Sequence, residues 1–416
     1  MSLISVNNLT FGYDGSLKNI FENVSFNIDT DWKLGLIGRN GKGKTTFLKL
    51  LLGKYEYQGA ISKNVEFDYF PFEVKNKERM AIEIVNEIAP NVEDWEIIRE
   101  LNLLNTDTEV LYRSFNLLSG GEQIKILLIS LFLKGNNFLL IDEPTNHLDI
   151  ETRNNLVNYL EKKKGFILVS HDRNFLDKVV NHIISINNTN IEIQQGNFSS
   201  WKENKNRQDN FEKIQNERLQ KDINRLEIAS KNCAKWSNEA EKTKNKKYNS
   251  ETTIDKGYIG HKADKMMKKS KVMEQRIEKA INEKTNLLKN IEVNDTLKII
   301  PLKSNKNPLI FAHNLQIKYS KETIFNPITF EVNNGDRVAL IGKNGIGKSS
   351  ILKLILGEEL QYNGEFMVAN DLKISYVSQS TEDLKGNLRT FAYDNKINES
   401  IFKAMLVKMG LSQFDL

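Results

Sequence analysis

The spacing of apolar positions divides the chain into three stretches. In the first, Ile4–Tyr13 alternates as a strand, and Phe26-Asn-Ile28 continues the pattern after a loop. Lys33–Ile37 is an apolar strand that runs directly into a glycine-rich loop and a helix over Thr46–Leu52. Asn137–Ile141 and Phe166–Ser170 are further apolar strands with one helix between them. The second stretch, Glu203 to Ile300, has no proline, and its mostly apolar positions recur at alternating intervals of three and four. Leu219, Asp222, Leu226, Ala229, Cys233, Trp236 and Ala240 form one such series. Ala263, Met266, Ser270, Met273, Ile277, Ala280, Lys284, Leu287 and Ile291 form another. Pro301 and Pro308 end the helical rhythm. The third stretch then repeats the opening: Leu309–Tyr319 alternates again, and Arg337–Ile341 leads into a second glycine-rich loop.

Two seams joined by a polar tip predict an antiparallel helical hairpin, a coiled coil. An arm of about 40 helical residues reaches roughly 60 Å at 1.5 Å per residue. That exceeds the radius of a compact domain, so the tip is expected to touch something outside the chain. Charge collects at the same place. Between Lys242 and Lys271 ten lysines face three acids, Glu251, Asp255 and Asp264, so this segment carries more positive charge than the net +5 of the whole chain. Tyr248, Tyr258 and His261 lie among the lysines. Clustered cations with interspersed aromatic rings suit a phosphate backbone and stacked bases, especially in irregular RNA. The candidate contacts are Lys244, Lys246, Lys247, Tyr248, Tyr258, His261, Lys262, Lys265 and Lys268. A lysine-rich helix that merely faces solvent is the competing reading.

Composition narrows the classes. A chain of 416 residues with 27% charged and 39% apolar residues has room for two or three ordinary cores. Its longest apolar runs, such as Ile126–Leu133, are too short to span a bilayer, and no secretory signal is visible at the N-terminus. A single cysteine, Cys233, excludes an intrachain disulfide and a cysteine cluster for metal. The cytoplasm is the expected compartment.

The chemistry lies in the first stretch. Gly38-Arg-Asn-Gly-Lys-Gly-Lys-Thr45 is a P-loop between a strand and a helix. Gly38, Asn40, Gly41 and Gly43 let backbone N–H groups curl around phosphate oxygens, and the helix starting near Thr46 adds its positive end. Lys44 is placed to reach the β- and γ-phosphates of ATP, and the Thr45 hydroxyl to bind Mg²⁺. The strand Asn137–Ile141 ends in two carboxylates: Asp142 suits the magnesium's water shell and Glu143 the deprotonation of an attacking water. His171, just past the end of another strand, is well placed beside a γ-phosphate.

In this order the motifs resemble the ATP-binding cassette (ABC) family. Leu118-Ser-Gly-Gly-Glu122 resembles its signature, which implies nucleotide contacts from Ser119, Gly120 and Gly121. Glu143 resembles the family's catalytic glutamate, His171 its switch histidine, and Tyr13 the aromatic that stacks on adenine. Pro144-Thr-Asn-His-Leu-Asp149 is similar to the ABC-F subgroup, which has two cassettes in one chain and no membrane domain. The resemblance implies that nucleotide is sandwiched between the P-loop of one cassette and the signature of the other, by pairing within the chain. Asp255–Lys271 resembles antibiotic-resistance members of the Vga/Lsa type. These enter the ribosomal exit site and displace lincosamides, pleuromutilins and streptogramin A from the peptidyl-transferase region. The implied partners are large-subunit rRNA and tRNA, with neither DNA nor membrane. A housekeeping translation factor for stalled ribosomes and a transporter ATPase subunit are the alternatives. One departure stands out: where the family places a glutamine after Tyr-Phe-Pro, this chain has Phe72. Slow turnover at the first site is expected from it.

The expected architecture is α/β, with two P-loop ABC domains joined by a long antiparallel helical hairpin. Residues 1–202 form the first nucleotide-binding domain, 203–300 the linker with its basic tip at about 241–271, and 301–416 the opening part of the second domain. In that part Gly342-Lys-Asn-Gly-Ile-Gly-Lys-Ser349 is the second P-loop. Tyr319, Gly342, Asn344, Gly345, Gly347, Lys348, Ser349 and Ser350 are its nucleotide contacts, with Gln379 and Ser349 toward Mg²⁺. The first signature follows Lys44 by 74 residues, and the same interval counted from Lys348 passes Leu416. The sequence is therefore expected to be a piece of a protein about a fifth longer, binding ATP but hydrolysing it weakly in this form.

Overall fold

The computed structural model describes residues 2–15, 19–39, 41–135, 137–146, 148–187, 190–244, 265, 268–269, 271–273, 275–280, 306–319, 322–370, 372–378, 386–409 and 411. The chain divides into two compact units: Met1–Trp201 with Lys298–Asn387, and Lys202–Leu297 with Leu388–Leu416.

In the first unit, β1 (Leu3–Phe11), β2 (Phe21–Asp29) and β4 (Gln58–Ser62) make an antiparallel sheet with β1 central. A second sheet, ordered β5-β6-β7-β3-β8-β9, is built from β3 (Lys33–Ile37), β5 (Glu66–Phe70), β6 (Asn137–Asp142), β7 (Phe166–Val169), β8 (His182–Asn187) and β9 (Asn190–Gln195). Its first five strands are parallel, and β9 returns antiparallel to β8. The near-continuous apolar runs of β6 and β7 follow from burial on both faces. Leu139, Ile141, Phe166 and Leu168 enter one core cluster. Phe138, Leu140, Ile167 and Val169 enter the other, with Phe21, Leu34, Leu36 and Phe47. The helices on these faces are α1 (Lys44–Leu51), α2 (Ala81–Ile88), α3 (Asp94–Leu103), α4 (Gly120–Leu133), α5 (Ile150–Leu160) and α6 (Arg173–Val179).

A buried polar knot fastens α3 to α5. Glu100, with 3% of its side chain exposed, accepts from Tyr159 Oη at 2.8 Å and from Lys163 Nζ at 2.5 Å. Burial acts to raise the Glu100 pKa, but the hydrogen bonds from Lys163 and Tyr159 outweigh it and hold the carboxyl below its ordinary value.

The third stretch of sequence forms its own small antiparallel sheet, in which β10 (Ile310–Tyr319) pairs with β11 (Glu322–Thr323), β12 (Ile328–Val332) and β13 (Gln361–Val368). Residues 337–341, expected as the strand before the second P-loop, belong to no sheet, and Val338 is 57% and Ile341 74% exposed. The physical reason is pairing. In the first stretch β3 lies between β7 and β8, whereas no described residue supplies their equivalents beside 337–341.

Helix α7 (Phe198–Lys244) is continuous over 47 residues, about 70 Å at 1.5 Å per residue. It starts five residues before the expected linker boundary at Glu203. Within the second unit, Leu219, Asp222, Leu226 and Ala229 are half-buried and Ile223 is buried, while Phe211, Ile214 and Ile228 face solvent. From Leu219 to Ala229 the three-four series therefore coincides with the covered stripe of this helix. In the second series Ile277 is buried and Met273 exposed. Lys265 and Lys268 are helical and exposed. The remaining tip candidates, Lys246, Lys247, Tyr248, Tyr258, His261 and Lys262, lie outside the described residues, as does the side chain of Lys244.

Candidate nucleotide site

The carboxyl ends of adjacent parallel strands converge at one edge of the six-stranded sheet, where open α/β sheets hold their ligands. β3 delivers the P-loop, β6 delivers Asp142 and Glu143, and β7 between them leads to His171. The strand register pairs Asp142 with Val169, and Glu143 N–H donates to Val169 O at 2.9 Å.

Gly43, at φ 91°, is the cap of α1, and a Cβ there would come within 2.6 Å of Ile20 Cγ2. Only glycine fits that left-handed, crowded position. Lys44 Nζ donates to the loop carbonyls Gly38 O at 2.8 Å and Arg39 O at 3.3 Å, which holds the ammonium over the loop. Burial lowers the Lys44 pKa, while Glu143 and Asp142 oppose the shift. Thr45 Oγ1 donates to Asp142 Oδ2 at 3.1 Å, spanning the strand between them. That hydroxyl–carboxylate pair is the oxygen donor set a Mg²⁺ ion requires beside a phosphate. Among the described residues no group of three or more His, Cys, Asp or Glu is placed to hold a metal.

Glu143 sits at φ 50°, a strained conformation for a non-glycine residue. Its Oε1 is buried without a hydrogen bond, while Oε2 accepts from His171 N–H at 3.3 Å. His171 Nε2 approaches Oε1 to 3.4 Å. Burial raises the Glu143 pKa, and His171 partly offsets the shift. A carboxylate with one unsatisfied oxygen and elevated basicity is suited to taking a proton from water. Tyr13 Oη shares a hydrogen bond with Thr46 Oγ1 at 2.9 Å, and its ring stands edge-on to Phe11 and Tyr55. With 44% of its surface exposed, the ring can stack on a planar base.

Ser119 caps α4 in a capping box with Glu122: its Oγ accepts from Glu122 N–H at 3.3 Å and donates to Glu122 Oε2 at 2.8 Å. Gly120 has open space around it, and Gly121 faces Thr152 and Leu148. The signature residues are thus ordered by their own helix start, apart from the P-loop that precedes them in sequence.

The second P-loop repeats the first. Gly347 sits at φ 95°, and Lys348 Nζ donates to Gly342 O at 2.8 Å and Lys343 O at 2.7 Å. Gly345 and Ser349 take their loop and helix-start positions, and Ser350 is buried. This loop touches the start of α5: Asn344 N–H donates to Asp149 Oδ2 at 3.4 Å, and Lys343 pairs with Glu151 at 2.7 Å. Asn40, Gln379 and the Tyr319 side chain lie outside the described residues.

Sequence reasoning missed Tyr69. Its hydroxyl donates to Asp142 Oδ2 at 3.0 Å, and burial, with the neighbouring Asp142 carboxylate, drives its pKa up. Position 69, at the end of an edge strand beside β6, was the available signal. Phe72, in the place expected for glutamine, is half-buried against the core cluster containing Ile37 and Phe70. It adds packing and brings no polar group to the site.

This chain is 30% identical over 93% of its length to the ATP-binding protein Uup of Buchnera aphidicola, and spans 62% of that relative. It is 28% identical over 89% of its length to the ribosome protection protein VmlR of Bacillus subtilis, spanning 65% of it. It is 33% identical over 49% of its length to ABC transporter F family member 2 of Arabidopsis thaliana, spanning 31% of it. The chain therefore spans less than two thirds of the length of these curated relatives. The family model described as ABC transporter matches residues 21–146 and 325–414, more than half of the chain. These matches show that the chain belongs to the ATP-binding cassette family, and its relatives support the F branch of that family.

Proposed function

We propose that this chain belongs to an ABC-F ATPase that acts on the ribosome and protects it from antibiotics bound at the peptidyl-transferase centre. The observation that carries this reading is a helix of 47 residues leading from a nucleotide-site lobe toward a lysine-rich segment. Similarity to a relative named as a ribosome protection protein supports it. Among the described residues no helix is long and apolar enough to cross a membrane.

In the proposed cycle, the P-loop amides and Lys44 bind the phosphates of ATP, Tyr13 stacks on its base, and Thr45 with Asp142 holds Mg²⁺. Mg²⁺ supplies charge neutralisation at the phosphates. Glu143 takes a proton from water, and His171 orients the reacting end. Binding closes the two lobes, the closed form docks, and the basic tip rearranges RNA. Displacement draws on differential binding of two states, without chemistry on RNA.

Sucrose-gradient sedimentation of Glu143→Gln with ATP tests this. Co-migration with ribosomes, together with protection of translation from a lincosamide, a pleuromutilin or streptogramin A, is the expected result. Ribosome binding without protection against any of these drugs would favour the housekeeping translation factor. Free sedimentation would refute ribosomal action.

A further inference from the structure

Beyond the groups assigned to nucleotide chemistry, one cation links two parts of the site. Asp149 is the N-cap of α5, with Oδ1 accepting from Thr152 N–H at 2.8 Å. Asp172 is the N-cap of α6, with Oδ1 accepting from Asn174 and Phe175 N–H. Arg153, one turn into α5, joins the two helix starts. Its Nη1 donates to Asp172 Oδ2 at 2.7 Å and its Nη2 to Leu148 O at 3.4 Å. Each anchor adjoins a functional element. Asp172 follows His171, and its own N–H donates to Ser170 Oγ, which shares a buried hydrogen bond with Thr145 at 3.0 Å. Leu148 precedes Asp149, whose Oδ2 accepts from Asn344 in the second P-loop.

Arg153 Nε is buried and makes no hydrogen bond, a cost that folded chains seldom retain without a role. A planar fork that satisfies two acceptors in fixed directions is what arginine offers and lysine does not.

We propose that Arg153 is a positioning residue: it ties the His171 loop to the Leu148–Asp149 segment, so that the setting of His171 against Glu143 depends on what the second P-loop does. The inference uses His171 as read above, but its test does not need hydrolysis. The full chain is labelled with ¹³C-histidine, and the His171 ring signal is assigned through His171→Gln. Its position is then recorded in the parent, Lys343→Gln, Arg153→Met and the double variant. Lys343→Gln is expected to displace the His171 signal in the parent background and to leave it in place once Arg153 is Met. Equal displacement in both backgrounds would mean a through-space charge effect and would overturn the proposal, as would no displacement in either. If Arg153→Met does not fold, Arg153→Lys and Asp172→Asn, which remove the fork or its acceptor, are read against the same two outcomes. ATP hydrolysis measured on the same samples separates failure of the ATPase reading from failure of this one.

Discussion

Around Lys44 and Lys348 the two P-loops share one geometry: Gly43 and Gly347 sit at φ 91° and 95°, and each lysine donates to the first loop glycine's carbonyl at 2.8 Å. Their foundations differ. The strand before the first loop, β3, is paired on both sides, and Leu34 and Leu36 are fully buried. The matching residues 337–341 pair with no described strand, and Leu340 is 38% exposed. A phosphate cradle is therefore a local structure, set by a few glycines and a helix start. The edge that carries the carboxylates is non-local: Asp142, Glu143 and His171 meet the first loop only because β7 and β3 are neighbours in the sheet.

The sharpest way to break this contrast is Glu143→Gln. Loss of a general base is expected to slow hydrolysis by about 10²–10⁴-fold while ATP binding persists. Single-turnover hydrolysis beside filter binding checks it, and an unchanged rate would remove Glu143 from the mechanism. Next in size is Gly43→Ala against Gly347→Ala. Left-handed backbone plus crowding against Ile20 predicts a cost of about 2–4 kcal/mol at position 43. The cost at 347 should be smaller, because a Cβ there would meet Ile324 and Phe325 at 3.0 Å rather than at 2.6 Å as at position 43. Urea unfolding of each variant measures the difference.

Glu100→Gln should destabilise the first unit by about 2–3 kcal/mol, since Tyr159 and Lys163 lose a charged acceptor. The sign with pH follows from the depressed Glu100 pKa. Its stabilisation is present above the unfolded-state pKa and is lost as pH falls through the folded-state value. The variant should therefore show a shallower acid dependence of its unfolding midpoint than the parent. The smallest effect is Tyr69→Phe, which removes one hydrogen bond from Asp142 and should raise the Mg²⁺ needed for ATP binding about fivefold.

Much of the first lobe was legible in sequence because its signals are contiguous. Four apolar residues before a glycine-rich loop, or an apolar run closing on two acids, carry strand and chemistry in one stretch. Tyr69, Glu100 and Arg153 were hidden for the opposite reason: their partners lie 73, 59 and 19 residues away, and only the packed fold brings them together. Helix α7 begins before the charged linker because Phe198 and Trp201 pack against the first lobe's core. At 337–341 the apolar pattern predicts a strand that does not form, because a strand also needs neighbours, and these are not a local property. The basic tip was read from clustered lysines with aromatic residues among them, and most of it lies outside the described residues.

The most direct test of the account is ATP turnover measured in parallel on Lys44→Ala and Lys348→Ala. If hydrolysis depends on the sheet edge that carries Asp142 and Glu143, turnover disappears with Lys44→Ala and survives in Lys348→Ala. Turnover that survives loss of Lys44 but disappears with loss of Lys348 would contradict the account.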